Sequence, residues 1–140
     1  MNKSLIEKAV EIVSVEYASC ALGLIDLNGN PTVSAITVAK HDGIKWITFV
    51  TGKRSNKVQR IMKCDKASIC FFSLEPLYNI TLCGKIEVIT DLDVKKEMWY
   101  DGCEEHWESY EDESFCVLKF TTERYNICVG DEEEEGVYGE

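Results

Sequence analysis

Trp46-Ile-Thr-Phe-Val-Thr51-Gly-Lys-Arg-Ser-Asn-Lys57 joins an alternating apolar segment directly to a basic turn that bears hydroxyl groups. Residues 53–66 hold six of the fifteen basic residues and one acid, Asp65, although the formal charge of the chain is −10. A local excess of cations in an acidic protein is typical of a site for an anion such as a phosphate ester. A solvated basic helix face explains the same residues at least as well, so both interpretations stay open.

The length and composition fit one domain. The chain has 140 residues and is 45% hydrophobic, which is enough for a single core. We expect residues 1–130 to form this domain and residues 131–140 to form an acidic tail. No apolar run approaches the roughly 20 residues of a membrane span, and Glu7 stands where a secretion signal would stay apolar. We therefore expect a cytoplasmic protein with no membrane partner.

The negative charge is concentrated at the end of the chain. Residues 101–140 carry fourteen acids and two bases, whereas residues 1–100 carry eleven acids and thirteen bases. The run Asp131-Glu-Glu-Glu-Glu135 is typical of a solvated, mobile tail. A tail of this charge repels nucleic acid, so we expect no nucleic-acid partner.

The seven cysteines do not predict a disulfide scaffold, because their number is odd and most stand in apolar segments. We expect most of them to be small buried residues, with Cys64 and Cys103 the more exposed. No pair has the C-x-x-C spacing, and the two histidines are far apart in sequence, so we predict no metal site.

The first half of the chain predicts a helix followed by a β-meander. Ser4-Leu-Ile-Glu7 has the form of a capping box, and an amphipathic helix should run from it to about Glu16. Three strands, 20–27, 32–39 and 44–51, are separated by Asn28-Gly29 and Asp42-Gly43, which favour tight hairpin turns.

The second half predicts further strands around short helices. Ser55 should cap a helix that extends to about Cys64, so the basic turn lies at a strand-to-helix junction where free N–H groups also attract anions. Strands are expected at 67–74, 78–89, 115–121 and 125–129, with helices at 91–100 and 104–110. Gly84 inside a strand indicates a bulge or sharp bend. Six or so antiparallel strands with peripheral helices predict a small mainly-β barrel.

The succession of elements between about Thr32 and Trp99 resembles the flavin-binding split-barrel proteins related to pyridoxamine 5′-phosphate oxidase, and most closely their general stress protein branch. Four segments carry this resemblance: the strand ending at Thr51, the helix start Ser55-x-Lys57, the strand 67–72 and the segment from Tyr78 to Gly84-Lys-Ile-Glu87. The resemblance implies a six-stranded split β-barrel, a homodimer and bound flavin mononucleotide (FMN).

The family's binding mode implies a set of cofactor-binding residues in this chain. Ser55 and Lys57 would hold the phosphate, with Val50 and Thr51 beside the phosphate and ribityl chain. The edge Ala35-Ile36-Thr37-Val38 would lie along the isoalloxazine ring, and Asn79 would approach the ring from the fifth strand. Asn56 stands where the oxidase usually has an arginine, and Lys53 and Arg54 would supply the missing charge.

The resemblance implies an oxidoreductase that passes hydride from a reduced nicotinamide, NAD(P)H, to a small-molecule acceptor. The oxidase's carboxy-terminal arginine and histidine have no counterpart in the run 130–135, so we do not expect a pyridoxamine phosphate oxidase proper. The alternatives are a non-enzymatic flavin, haem or deazaflavin sensor of the same fold, and a structural protein that binds only incidental anions. The sequence nominates no catalytic acid or base.

Several aromatic residues have more than one interpretation. Trp46 and Trp99 are interpreted as core or dimer-seam residues, with a place beside a cofactor as the alternative. His106 and Trp107 are interpreted as residues of a surface helix, with a place at a substrate opening as the alternative.

Overall fold

The computed structural model describes residues 4–140. It opens with helix α1, Leu5–Val13. Ser4 caps this helix by accepting the backbone N–H of Glu7 at 3.2 Å, and its hydroxyl lies 3.3 Å from the Glu7 carboxylate. The predicted capping box is therefore confirmed, although the helix ends at Val13 and not at Glu16.

Eight strands form one antiparallel sheet in the order β2-β1-β5-β6-β7-β4-β3, with β8 paired to β7. The strands are β1 (Ser19–Ile25), β2 (Pro31–Thr37), β3 (Lys40–Asp42), β4 (Trp46–Gly52), β5 (Lys66–Leu74), β6 (Leu77–Ile89), β7 (Phe115–Val129) and β8 (Glu132–Val137). The other two helices are α2 (Asn56–Lys63) and α3 (Leu92–Met98).

The sheet closes into a barrel because its two ends are adjacent in the chain. Strand β2 stands at one end of the order and β3 at the other, and only Val38 and Ala39 separate them. The backbone N–H of Val38 donates to the carbonyl oxygen of Ala18, and the N–H of Ala39 donates to the carbonyl oxygen of Thr48, each at 2.8 Å. The inward side chains form one apolar core, which includes Leu22, Ile47, Phe49, Ile69, Ile80, Leu82, Phe120 and Ile127. The structure is thus mainly β and split-barrel-like, as predicted.

Gly84 marks the bend that the sequence predicts. The register between β6 and β7 shifts between Cys83 and Gly84. A β-carbon at Gly84 would collide with the carbonyl oxygen of Thr121. The close approach of the two backbones at this bulge therefore requires glycine.

The strand count and two connections differ from the prediction. The barrel has eight strands where six were expected. Strand β4 does not form a hairpin with β2, because Lys40–Asp42 form the short strand β3 and pair with it instead. The two strands expected at 115–121 and 125–129 are one continuous strand, β7, because a bulge at Glu123 of β7 takes up the irregularity without ending the pairing with β6.

The acidic C-terminal segment is also more ordered than expected. Residues 131–140 were predicted to form a mobile tail, but Glu132–Val137 pair with β7 from Val129 to Arg124. The four glutamates are exposed, as a solvated segment should be, and Glu132 lies 3.4 Å from Lys8 of α1. Backbone pairing along β7 therefore outweighs the weak strand preference of glutamate.

A second, smaller apolar cluster lies outside the main core. It packs Met98, Cys103, Phe115 and Val117 beneath α3 and the segment that follows. Within it Lys95 is 5% exposed and donates to the carbonyl oxygen of Asp112 at 2.9 Å. The helix predicted at 104–110 is only a three-residue 3-10 helix, Cys103–Glu105. This cluster fixes the segment 99–115 against the end of β4.

Among residues 4–140, no helix combines the length and apolar character needed to span a bilayer.

Candidate functional site

A cleft of about 610 Å³ opens between β2, β4 and the segment that follows α3. We call it the β2–β4 cleft. Five of the twelve predicted site residues line it: Ala35, Ile36 and Thr37 from β2, and Val50 and Thr51 from β4. The remaining lining residues are Gly52, Tyr100, Gly102, Cys103, Glu105, His106 and Trp107.

The turn after β4 connects this cleft to the start of α2. Ser55 caps α2 as predicted, because its Oγ accepts the N–H of Val58 at 3.4 Å. The same Oγ accepts a hydrogen bond from Thr51 Oγ1 at 3.1 Å. The N–H of Lys53 donates to the carbonyl oxygen of Ser114 at 2.7 Å, which ties the turn to the segment before β7. Two hydroxyl groups and a helix start therefore meet at the end of the cleft.

The predicted cations lie around this turn, and none of them is among the residues that line the cleft. Lys57 is half-buried, whereas Lys53 and Arg54 are exposed and line a neighbouring groove with Asp112 and Glu113. In the described part of the chain, residues 4–140, none of these three cations forms a salt bridge. Asn56 lies in a further groove beside Arg60 and Asp26. The assignment of these residues to a phosphate stays a prediction.

Two other predicted residues lie away from the cleft. Val38 is 5% exposed and lines a different cavity. Asn79 is on β6 and stands opposite Phe72 of β5, where its side-chain oxygen accepts from Cys70 Sγ at 3.1 Å. Strands β1 and β5 separate β2 from β6 in the sheet. Within one chain, Asn79 therefore does not join the other site residues.

The wall formed by residues 100–107 was not among the predicted site residues. Trp107 packs edge-on against Phe115 with ring centroids 5.0 Å apart, and His106 also contacts Trp107 edge-on, with ring centroids 5.6 Å apart. Both residues line the cleft, outside any α-helix, and their place at a substrate opening stays a prediction. The sequence feature that could have indicated this wall is the cluster of aromatic residues between Trp99 and Tyr110.

The thiol and phenol of this wall are held in their neutral forms. Burial, with a smaller contribution from Glu104, raises the pKa of Cys103. Burial also raises the pKa of Tyr100, and Cys103 and Tyr17 add to the effect. Cys103 was expected to be one of the exposed cysteines, but it is 1% exposed. The wall therefore presents a phenol donor and an imidazole to the cleft, and Glu105 is the carboxylate of residues 100–107 that lines it.

An uncharged surface continues from the cleft across the outside of five strands. The strand register brings its outward residues side by side, for example Ala21 with Ala35 and Cys70. The outward residues are Ala21, Gly23, Val33, Ala35, Ser68, Cys70, Phe72, Asn79, Thr81 and Asn126. Val33 is 74% exposed and Phe72 is 64% exposed. We call this set of ten residues the uncharged face. It shares Ala35 with the cleft.

A family comparison agrees with this architecture. The model of the pyridoxamine 5′-phosphate oxidase family matches residues 5–128. The chain belongs to this family. The match includes the barrel from α1 to most of β7 and every residue of the β2–β4 cleft. The resemblance inferred from the residues between Thr32 and Trp99 is therefore confirmed.

Solved structures of the family share the fold along almost the whole chain. A Clostridium acetobutylicum protein related to general stress protein 26 of B. subtilis has a TM-score of 0.87 and 25% identity, with 99% of this chain and 97% of that chain covered. A pyridoxamine 5′-phosphate oxidase-related, FMN-binding protein of Nostoc punctiforme PCC 73102 has a TM-score of 0.72 and 14% identity, with both chains fully covered at 100%.

A heme binding protein of Mycobacterium smegmatis has the same fold, with a TM-score of 0.81 and 16% identity over 98% of this chain and 59% of that chain. A search of curated protein sequences gave no match. The family and the fold are thus established, whereas the ligand of this chain has to be inferred from its own residues.

Proposed function

We propose that this chain is a flavoprotein that binds FMN in the β2–β4 cleft, with the phosphate at the turn 51–57. The observation that carries the proposal is the hydrogen-bonded pair of Thr51 and Ser55 at the start of α2, beside Lys57, which forms no salt bridge within residues 4–140. Phosphate oxygens accept from hydroxyl groups and free helix N–H groups, and a lysine ammonium balances their charge. The predicted ligands Ser55 and Lys57 fit this chemistry.

The size and chemistry of the cleft also fit a flavin. Its volume of about 610 Å³ lies within the range of small-molecule sites. A planar ring system would lie along Ala35, Ile36 and Thr37, and Trp107 on the facing wall offers an aromatic surface. The Tyr100 phenol and the edge of β2 provide polar contacts for the ring. Val38, which directly follows β2, would extend the edge along which the ring lies.

We propose that two copies pair through the uncharged face. Ten uncharged outward residues on five adjacent strands are unusual in a chain of net charge −10, since such a surface would otherwise be solvated by charged groups. The face reaches the cleft at Ala35, so a second copy would cover the cleft and help to enclose the ring. Asn79, which lies on the face and not in the cleft of its own chain, would approach the ring of the partner copy.

Bound FMN would supply hydride and electron transfer, which explains why the sequence nominates no catalytic acid or base. We propose a reduced nicotinamide as the electron donor and a small molecule as the acceptor, in a cytoplasmic protein. The chain's own residues would position the ring and exclude water from one side of it. The run 130–135 contains no counterpart of the oxidase's carboxy-terminal arginine and histidine, so we do not propose a pyridoxine phosphate as the substrate.

A haem-binding role is the second candidate. The fold is shared with a heme binding protein of Mycobacterium smegmatis, and His106 lines the cleft with an imidazole that is a suitable axial ligand. A titration that follows the visible spectrum separates the two candidates. Quenching of FMN fluorescence with a one-to-one endpoint supports the flavin role. A Soret band that shifts on addition of haem, together with unquenched FMN, contradicts it.

The enzymatic part of the proposal needs a separate measurement. Protein loaded with FMN should oxidise NADH or NADPH in the presence of an artificial acceptor, with bleaching of the flavin absorbance when the acceptor is omitted. Binding of FMN without reduction by either nicotinamide would show a flavin sensor or store and contradict the oxidoreductase assignment.

A further inference from the structure

A second cleft, of about 420 Å³, lies on the other side of Tyr100 from the β2–β4 cleft. Tyr100 is the residue that the two clefts share. The second cleft is formed by the turn after α1 and by the segment between β2 and β3. We propose that it binds a small planar aromatic amide, stacked on Tyr17.

The backbone at Tyr17 is the first observation that supports this site. The N–H of Ala18 donates to the carbonyl oxygen of Val15 at 3.1 Å, which closes a four-residue turn. Tyr17 is the third residue of this turn and has a φ of +57°. Turns of this kind normally place glycine or asparagine there, because a bulky side chain is strained at positive φ. Among residues 4–140, Tyr17 is the one non-glycine residue with positive φ.

The position of the Tyr17 ring is the second observation. The side chain is 52% exposed, although a strained turn residue gains nothing from an exposed ring. One side of the ring contacts Tyr100, with centroids 6.1 Å apart and an interplanar angle of 49°. Tyr17 is also one of the residues that line the second cleft. A flat ligand that stacks there would use the aromatic surface that the strained turn holds in place.

The polar groups of the second cleft define the rest of the ligand. The N–H of Gly43 donates to His41 Nδ1 at 3.2 Å, so the imidazole can offer its Nε2–H as a donor to a ligand. Lys40 supplies a cation, and Glu16 supplies an acceptor. A carboxamide satisfies both kinds of group, because its oxygen accepts from His41 or Lys40 while its N–H₂ donates to Glu16. A carboxylate would be attracted by Lys40 but repelled by Glu16, and an amine the reverse, whereas a neutral amide meets both groups without a like-charge contact.

The site can be tested with benzamide as the probe, on the full chain as purified, by NMR or calorimetric titration. Benzamide should bind with shifts in the resonances of Tyr17, Lys40 and His41. Cyclohexanecarboxamide, which has the amide but no flat ring, should bind about tenfold more weakly, as should benzoate. Equal binding of benzamide and cyclohexanecarboxamide would overturn the proposal, and so would benzamide shifts confined to Thr51 and Trp107 of the β2–β4 cleft.

Substitution of Tyr17 separates a binding role from a structural one. Tyr17→Gly relieves the strained φ, so the melting temperature should stay the same or rise while benzamide binding weakens by about tenfold. Tyr17→Asn, the other residue that tolerates positive φ, should behave in the same way, and Tyr17→Phe should retain binding. Unchanged benzamide affinity in a folded Tyr17→Gly or Tyr17→Asn protein would overturn the proposal. Neither result depends on flavin, because the second cleft is formed by the chain itself.

Discussion

Thr51 Oγ1 donates a hydrogen bond of 3.1 Å to Ser55 Oγ, which also accepts the N–H of Val58 at 3.4 Å. One hydroxyl group therefore joins the end of β4 to the first turn of α2. A phosphate placed at this junction would meet the hydroxyl groups, the free helix N–H groups and the ammonium of Lys57 together. The stability of α2 and the affinity for a phosphorylated cofactor should consequently depend on the same side chain.

Ser55→Ala tests this double role. Loss of the cap should lower the free energy of unfolding by about 1 kcal/mol. Loss of a hydrogen bond to a charged phosphate should weaken FMN binding by roughly tenfold or more. Ser4→Ala is the matched control, because Ser4 caps α1 in the same way, away from the cleft. It should lower the free energy of unfolding by a similar amount without changing the affinity for FMN. An equal decrease of FMN affinity in the two variants would contradict the phosphate assignment.

Gly84→Ala tests the bulge that closes the barrel. An added β-carbon would collide with the Thr121 carbonyl, a backbone atom that cannot move without breaking the β6–β7 pairing. We expect the free energy of unfolding to fall by at least about 3 kcal/mol in a denaturant titration. At Gly52 the nearest atom to an added β-carbon is the Ser114 oxygen at 3.9 Å, so Gly52→Ala should leave stability nearly unchanged. Similar stabilities for the two variants would show that the bulge adapts.

Ala21→Glu tests the proposed dimer. Ala21 stands at the middle of the uncharged face, between Ala35 and Cys70, so a buried glutamate there would leave a charge without a partner. Sedimentation equilibrium should give a dimer for the unsubstituted chain and a monomer for the variant. Ser109→Glu, which adds the same charge away from the face, should remain a dimer. A dimer that persists in Ala21→Glu would place the interface elsewhere.

The buried thiol of Cys20 should make stability depend on alkaline pH. Burial raises the pKa of Cys20 to about 12, with a smaller contribution from Cys70. In the unfolded chain a cysteine ionises near pH 8.5, so the unfolded state loses its proton first. The contribution of Cys20 is therefore complete below about pH 8.5 and is lost as the pH rises toward the folded pKa, by at most about 1.4 kcal/mol per pH unit.

Comparison with Cys20→Ala isolates this effect from the other alkaline titrations. Urea titrations between about pH 8 and pH 11 should show a steeper loss of stability in the unsubstituted protein than in the variant. Parallel pH profiles would mean that the thiol is solvated in the folded state.

Much of the barrel follows from local sequence signals. Ser4 with Glu7, and Ser55 before an apolar helical stripe, identify the starts of α1 and α2 because a cap depends on neighbouring residues only. Gly84 identifies the bulge because no other residue fits there. The strands β3 and β8 were missed because their own residues give little strand signal. Strand β3 has only three residues, and β8 is built mainly of glutamates, yet each pairs with its chain neighbour, β4 or β7, across a short turn.

The candidate site divides in the same way. Ala35 to Thr37 and Val50 to Thr51 are found from sequence because they lie on regular strands beside a recognisable turn. Tyr100, His106 and Trp107 reach the cleft through ring contacts with Phe115 and its neighbours, which are distant from β2 in sequence. No periodic pattern encodes such an irregular wall. Asn79 was predicted from the resemblance, but it would join the site only if a second copy is present.

The central claim is that the turn 51–57 binds the phosphate of FMN, and a comparison of FMN with riboflavin tests it most directly. Fluorescence titration of the unsubstituted protein should give roughly tenfold or stronger binding of FMN over riboflavin, and Lys57→Ala should weaken FMN binding by about tenfold while leaving riboflavin affinity unchanged. Lys66→Ala, which removes another cation of the segment 53–66, should leave both affinities unchanged. Equal affinities for FMN and riboflavin in the unsubstituted protein, or an FMN affinity that is unchanged in Lys57→Ala, would contradict the account.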